Sequence, residues 1–195
     1  MKKKIALVIN TLSDGGAERV VSNLSLGLYD KFDIDIIVND TEHLEYPYKG
    51  HIISLNLPPE PKCLKTLYQI QVVNRRIRVL RYLKKKKKYA AVISFSDMCN
   101  VSNVFSGNRF GRTILTVHYS LLGKKDNSRI HEIITPVLMP WCFRKAYLTV
   151  SCSKGVNDEL MREYGLPPEK GTVIYNGLEL RKIRNMAKEP LDEQI

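Results

Sequence analysis

The chain has 195 residues, 44% of them hydrophobic, with 31 Lys and Arg against 20 Asp and Glu for a formal charge of +11. That is enough apolar material for one sizeable core, yet no apolar run approaches the roughly 20 residues that a membrane-spanning helix needs. The cysteines (Cys63, Cys99, Cys142, Cys152) form no Cys-x-x-Cys pair and the histidines (His43, His51, His118, His131) stand apart, which argues against a structural zinc site and for reduced thiols in the cytoplasm.

The start "MKKK" resembles the charged end of a signal peptide, but the apolar "IALVI" behind it is short and no small-residue cleavage site follows. The excess of positive charge asks for an anionic partner: nucleic acid, a membrane surface or a phosphate-bearing substrate.

In chain order, "KIALVIN" (4–10) is a short continuous apolar run, the pattern of a strand buried on both faces. "ERVVSNLSLGLYDK" (18–31) spaces Val20, Val21, Leu24 and Leu28 as an amphipathic helix, and "DIDIIV" (33–38) and "HIISLNL" (51–57) read as strands. "LPPEP" (57–61) interrupts regular structure, and a long helix follows over about 64–87.

"AAVISF" (90–95), "TILTVH" (113–118), "YLTVSC" (147–152) and "TVIYN" (172–176) are further strands, with a helix in each gap. In "SKGVNDELMREYG" (153–165), Ser153 is placed to cap the helix and Gly165 with Pro167 to end it. About seven strands alternating with helices predict an α/β fold, a Rossmann-like, doubly wound, mostly parallel sheet with helices on both faces. The highly charged stretch 178–195 reads as a linker or tail.

Ligands of such sheets bind outside the carboxyl ends of the strands. The loop leaving the first strand, Asn10 to Gly16, carries Gly15 and Gly16 ahead of a helix whose N-terminus offers free N–H groups. That pattern suits a phosphate group; it also suits a tight strand-to-helix turn. It is neither Gly-x-Gly-x-x-Gly nor a P-loop.

"INTLSDGGAERVVSNLSLGL" (9–28) and "GLPPEKGTVIYNGLE" (165–179) closely resemble the opening and the crossover segment of the N-terminal domain of family 4 retaining glycosyltransferases, enzymes of the two-domain GT-B architecture. "TVHYS" (116–120) and "TVSCSKGVNDEL" (149–160) fall at two further strand-to-loop junctions of that family. The resemblance implies a Rossmann-like acceptor-side domain over 1–177 and a linker at the start of the crossover over 178–195. The C-terminal nucleotide-sugar-binding domain, with its paired glutamates, lies outside the chain, so the chain alone is expected to be inactive.

It further implies a nucleotide-sugar donor, UDP-hexose by default, with no metal and no other cofactor. The acceptor is a cell-surface polysaccharide or lipid-linked saccharide, and no protein nucleophile takes part. Gly15 and Gly16 would approach the donor diphosphate, and His118 would contact the donor sugar near the reacting bond.

Each of the other candidates has a structural alternative. Glu18 is either an acceptor contact or a favourable charge in the first helical turn. Ser96, Asp97 and Asn100 meet acceptor hydroxyls, or Ser96 and Asp97 cap a helix. Ser151 and Ser153 contact the donor or cap.

The basic stretch of the long helix, with Arg75, Arg76, Arg78, Arg81 and then Lys84, Lys85, Lys86, Lys87 and Lys88, reads as a membrane-surface element. Each cation near anionic lipid contributes about 1 kcal/mol; the alternative is a solvated face. The expected place is cytoplasmic, peripheral on the inner face of the plasma membrane. The rival to the whole reading is a non-catalytic basic module binding nucleic acid or a protein partner.

Overall fold

The computed structural model describes residues 2–57, 61, 65–122, 129–177 and 180–188. Its centre is a seven-stranded sheet of β1 (Lys3–Val8), β2 (Phe32–Val38), β3 (His51–Ser54), β4 (Ala91–Ser94), β5 (Arg112–Val117), β6 (Leu148–Ser151) and β7 (Gly171–Val173). The order is β3-β2-β1-β4-β5-β6-β7 and every pairing is parallel. The helices are α1 (Gly16–Leu28), α2 (Lys65–Lys87), α3 (Asp97–Phe105), α4 (Arg129–Lys145), α5 (Lys154–Tyr164) and α6 (Leu180–Met186).

Right-handed crossovers put helices on opposite faces once the strand order reverses at β1. Successive strand residues point to opposite faces. Ile5, Leu7, Ile34 and Ile36 therefore pack with Val21 of α1, while Ala6, Val8, Ile37 and Val92 pack with Leu80 of α2. Beyond β4 that second face continues as Leu115 and Val117 under Phe143 of α4 and Leu160 of α5.

Over β4, β5 and β6 the α1 face is thinly covered. Ile93, Ile114, Leu148 and Val150 are only half-buried, while their neighbours Val92, Leu115 and Thr149 are fully enclosed.

Most strands stop before the apolar run does. Phe95, Cys152 and Ile174 each sit just past a strand yet still donate a backbone hydrogen bond to the adjacent strand, so the sheet's carboxyl edge is a firm rim. Ser153 caps α5 by accepting from the Val156 N–H at 3.2 Å, and Gly165 ends that helix with φ 61, a conformation that favours glycine.

Within the predicted linker, Leu180–Met186 forms a short helix, α6, with Leu180 and Ile183 exposed; its Arg- and Lys-rich sequence is compatible with helix. The rest of that segment (178, 179 and 189–195), Lys62, Cys63 and most of "LPPEP" lie outside the described residues.

Candidate functional site

A cavity of about 430 Å³ opens at the carboxyl edge of the sheet, on the thinly covered face. Phe95, Thr116, His118 and Cys152 line it, with Asn23 of α1 and Asn176 and Gly177 closing one side.

His118 is the first residue past β5. Its ring stacks on Phe95, with centroids 5.8 Å apart and an interplanar angle of 18°. Its Nε2 lies 2.9 Å from the Thr116 Oγ1, and the Thr116 hydroxyl donates to the Ser94 carbonyl at 2.8 Å. A hydroxyl has one proton, so Nε2–H donates to Thr116 and the hydrogen-bond network assigns the tautomer with a bare Nδ1. That Nδ1 is buried without a hydrogen-bond partner. Burial lowers the histidine's pKa from its ordinary 6.5 and keeps the ring neutral. The result is a fixed, unpartnered acceptor on a residue that lines a mainly apolar cavity.

The glycine loop divides its roles. A Cβ on Gly15 would fall 1.8 Å from the Glu18 Oε2, whereas one on Gly16 would meet nothing within 4 Å. At Gly15 the half-buried Glu18 carboxylate folds back over the start of α1 and occupies the space a Cβ would take. Gly16 is exposed at the helix's first turn, where N–H groups have no partner within the helix. Space at Gly16 is open, and at Gly15 only the Glu18 side chain takes it up.

Three of the predicted contacts are consumed by the fold. Asn100 is 0% exposed. It accepts from the Ser94 hydroxyl at 2.7 Å and donates to the Thr116 carbonyl at 3.0 Å, so it ties β4 to β5 and is not available to an acceptor. Ser151 is fully buried beside Asn157 and is not available to a donor. Ser153 acts as the helix cap described above. Asp97 is buried and accepts from the Tyr119 hydroxyl, linking the loops after β4 and β5. Ser96 precedes α3 without a side-chain cap bond, and its buried hydroxyl has no partner.

Two positions next to the site were not singled out from the sequence. Glu159 of α5 accepts from the Leu121 and Leu122 N–H groups at 2.7 and 3.1 Å, pinning the loop that follows His118. Arg76, counted among surface cations, is buried at the carboxyl ends of β1 and β2.

The lysine run needs a similar correction. Lys84 is 1% exposed and donates to the Asn103 and Gly107 carbonyls at 2.7 and 2.9 Å, capping the end of α3; burial lowers its pKa to about 7. Lys87 pairs with the buried Asp35 at 2.7 Å. Neither can reach a membrane, because the sheet beneath α2 engages this side of the helix. Arg81, Lys85, Lys86 and Lys88 remain exposed. No described helix is long and apolar enough to cross a membrane.

A parallel sheet whose order reverses between β1 and β4, with a polar-tipped cavity at its carboxyl edge, defines a Rossmann-like α/β domain. The sequence profile of Glycosyltransferase Family 4 matches residues 14–182, and the chain belongs to that family.

The N-acetylgalactosamine-N,N'-diacetylbacillosaminyl-diphospho-undecaprenol 4-alpha-N-acetylgalactosaminyltransferase of Campylobacter jejuni is 26% identical over 194 residues, covering 97% of this chain and 52% of the relative. The sucrose-phosphate synthase structure from Thermosynechococcus elongatus matches with a TM-score of 0.70 at 14% identity, over 98% of this chain and 54% of that one. The Anabaena HepE structure in complex with UDP-glucose matches at 0.62 and 17% identity, over 94% and 49%. The structural likenesses establish the fold. The chain spans about half the length of the relatives it matches.

Proposed function

We propose that this chain is the acceptor-side half of a nucleotide-sugar-dependent glycosyltransferase that acts on a lipid-linked saccharide at the cytoplasmic face of the membrane. The family match across residues 14–182 carries the reading. The Campylobacter relative is named for an undecaprenyl-diphosphate-linked acceptor and for N-acetylgalactosamine, and the Anabaena structure holds UDP-glucose. The donor we propose is a UDP-linked hexose or N-acetylhexosamine, completed by a nucleotide-binding half supplied elsewhere in the full-length protein.

Transfer is proposed to retain the anomeric configuration. The bond to the acceptor oxygen forms on the face from which the sugar–phosphate bond breaks, and the acceptor's proton passes to the departing diphosphate. The chain's contribution is positioning and charge stabilisation. In this reading His118 Nδ1 accepts from a donor-sugar hydroxyl, the helix start at Gly16 faces the diphosphate, and Glu18 and the free Ser96 hydroxyl meet the acceptor.

The test is an assay of the full-length protein with a panel of UDP-sugars and undecaprenyl-diphosphate-linked saccharides. Sugar transfer to the lipid-linked acceptor is expected. Absence of transfer with every donor, together with salt-sensitive binding of random oligonucleotides, would favour the non-catalytic module.

A further inference from the structure

Arg76 of α2 is accounted for neither by stability nor by the cavity around His118. It sits mid-helix, 1% exposed. Its Nη2 donates to the Asn10 Oδ1 at 2.8 Å and to the Asn39 Oδ1 at 2.6 Å, two neutral acceptors at the carboxyl ends of β1 and β2. Its Nε and Nη1 are buried with no hydrogen-bond partner, and no carboxylate among the described residues pairs with it. A buried cation without a counter-charge is costly, and a core that needed only packing would place an apolar residue here.

The guanidinium lines a second cavity of about 220 Å³, bounded by Asn10, Asn39, Val72, Val73 and Met98. This cavity differs from the one holding His118; it lies on the α2 face and shares no residue with it. Met98 stands next to Asp97 and Asn10 opens the glycine loop, so the cavity borders the loops that the proposed function gives to the acceptor. Its volume exceeds that of several water molecules.

We propose that this cavity is an oxyanion subsite in which Arg76, held by Asn10 and Asn39, binds a phosphate group. An arginine fork with unpartnered donors matches phosphate geometry, and a bound phosphate supplies the counter-charge that the buried guanidinium lacks. The placement beside the acceptor loops rests on the transferase reading; the anion site itself does not. A phosphate of a lipid-linked acceptor and a free inorganic anion share this chemistry.

The experiment is calorimetric titration of the full-length protein with inorganic phosphate, inorganic diphosphate and farnesyl diphosphate at constant ionic strength. It is repeated on Val73→Phe, which fills the cavity but keeps Arg76, and on Arg76→Lys, which keeps the charge but loses the fork. Thermal melts without ligand check that both variants fold.

Saturable binding weakened about tenfold or more in both variants is expected, the size of one lost charge-assisted hydrogen bond. Tighter binding of farnesyl diphosphate than of inorganic diphosphate supports the site as one for a lipid-linked phosphate, and equal binding supports it as one for a free anion. No saturable binding, or binding unchanged in Val73→Phe, overturns the proposal. Because the readout is binding, its failure leaves the transferase assay's result untouched, and the reverse holds too.

Discussion

The Glu159 carboxylate accepts a hydrogen bond from the Leu121 N–H at 2.7 Å, joining α5 to the loop that leaves His118 across 38 residues of sequence. The same oxygen takes the Leu122 N–H, so one side chain fixes two successive amides of a loop that no strand holds. Replacing Glu159 with Ala leaves the Leu121 N–H without its acceptor and the Leu122 N–H with only the Ser120 hydroxyl at 3.2 Å. Urea unfolding is expected to register a loss of about 1–3 kcal/mol. An unchanged midpoint would mean that water replaces the carboxylate fully.

Lys84 gives a pH dependence of defined sign. Unfolded, it holds its proton up to its ordinary 10.5; folded, burial lowers that to about 7. Between these values the unfolded chain binds more protons, so stability rises with pH from about 7 towards 10.5 and Lys84 contributes no slope below that window. In Lys84→Met the rise should disappear, and the whole curve should lie at a different level because the Asn103 and Gly107 carbonyls lose their donor. Melting curves collected from pH 6 to 10 check both.

Two histidines should titrate on opposite sides of 6.5. Burial moves His118 down, whereas the Asp40 carboxylate, hydrogen-bonded to the exposed His43, moves that ring up. NMR titration of the ring protons is expected to give the lower midpoint to His118. The reverse order would contradict the enclosed, neutral ring on which the site rests.

Membrane attachment, if it uses α2, must use the side of the helix that faces away from the sheet. Arg81 and Lys85 are exposed there with Tyr82, and the exposed Trp141 of α4 packs its ring on Phe105 with centroids 4.8 Å apart, a mixture of cations and aromatic rings suited to a lipid interface. Changing Arg78, Arg81 and Lys85 together to Gln should weaken sedimentation with anionic liposomes about 100-fold, from roughly 1 kcal/mol per cation. Changing Lys87 alone should alter stability and not binding. Equal liposome binding by the triple variant would remove this face from the account.

The fold was legible because its signals are local. Buried parallel strands are short apolar runs, α1 repeats its apolar residues at helical spacing, and Gly165 marks a helix end by itself. The roles of polar residues were not local. Arg76 and Lys84 lie among other cations in the sequence, and only the sheet and α3 packed against α2 separate them from the exposed Arg81 and Lys85. Asn100 and Ser151 follow or end strands just as ligand-binding residues do; that β4 and β5 absorb the hydrogen bonds of Asn100, and Asn157 of α5 that of Ser151, is decided by pairings 6 to 16 residues away. Glu159 reads as one more acid on an amphipathic helix until the β5 loop is brought beneath it.

The most direct test of the account is turnover of the full-length protein carrying His118→Ala, with UDP-sugar donor and lipid-linked acceptor. The unpartnered Nδ1 of His118, a residue that lines the cavity, predicts a fall in kcat of about 100-fold or more, the scale of one lost transition-state contact in a water-excluded site, with the thermal midpoint little changed. Near-normal turnover in a well-folded variant would remove His118 from the site and with it the placement of the donor sugar in this cavity.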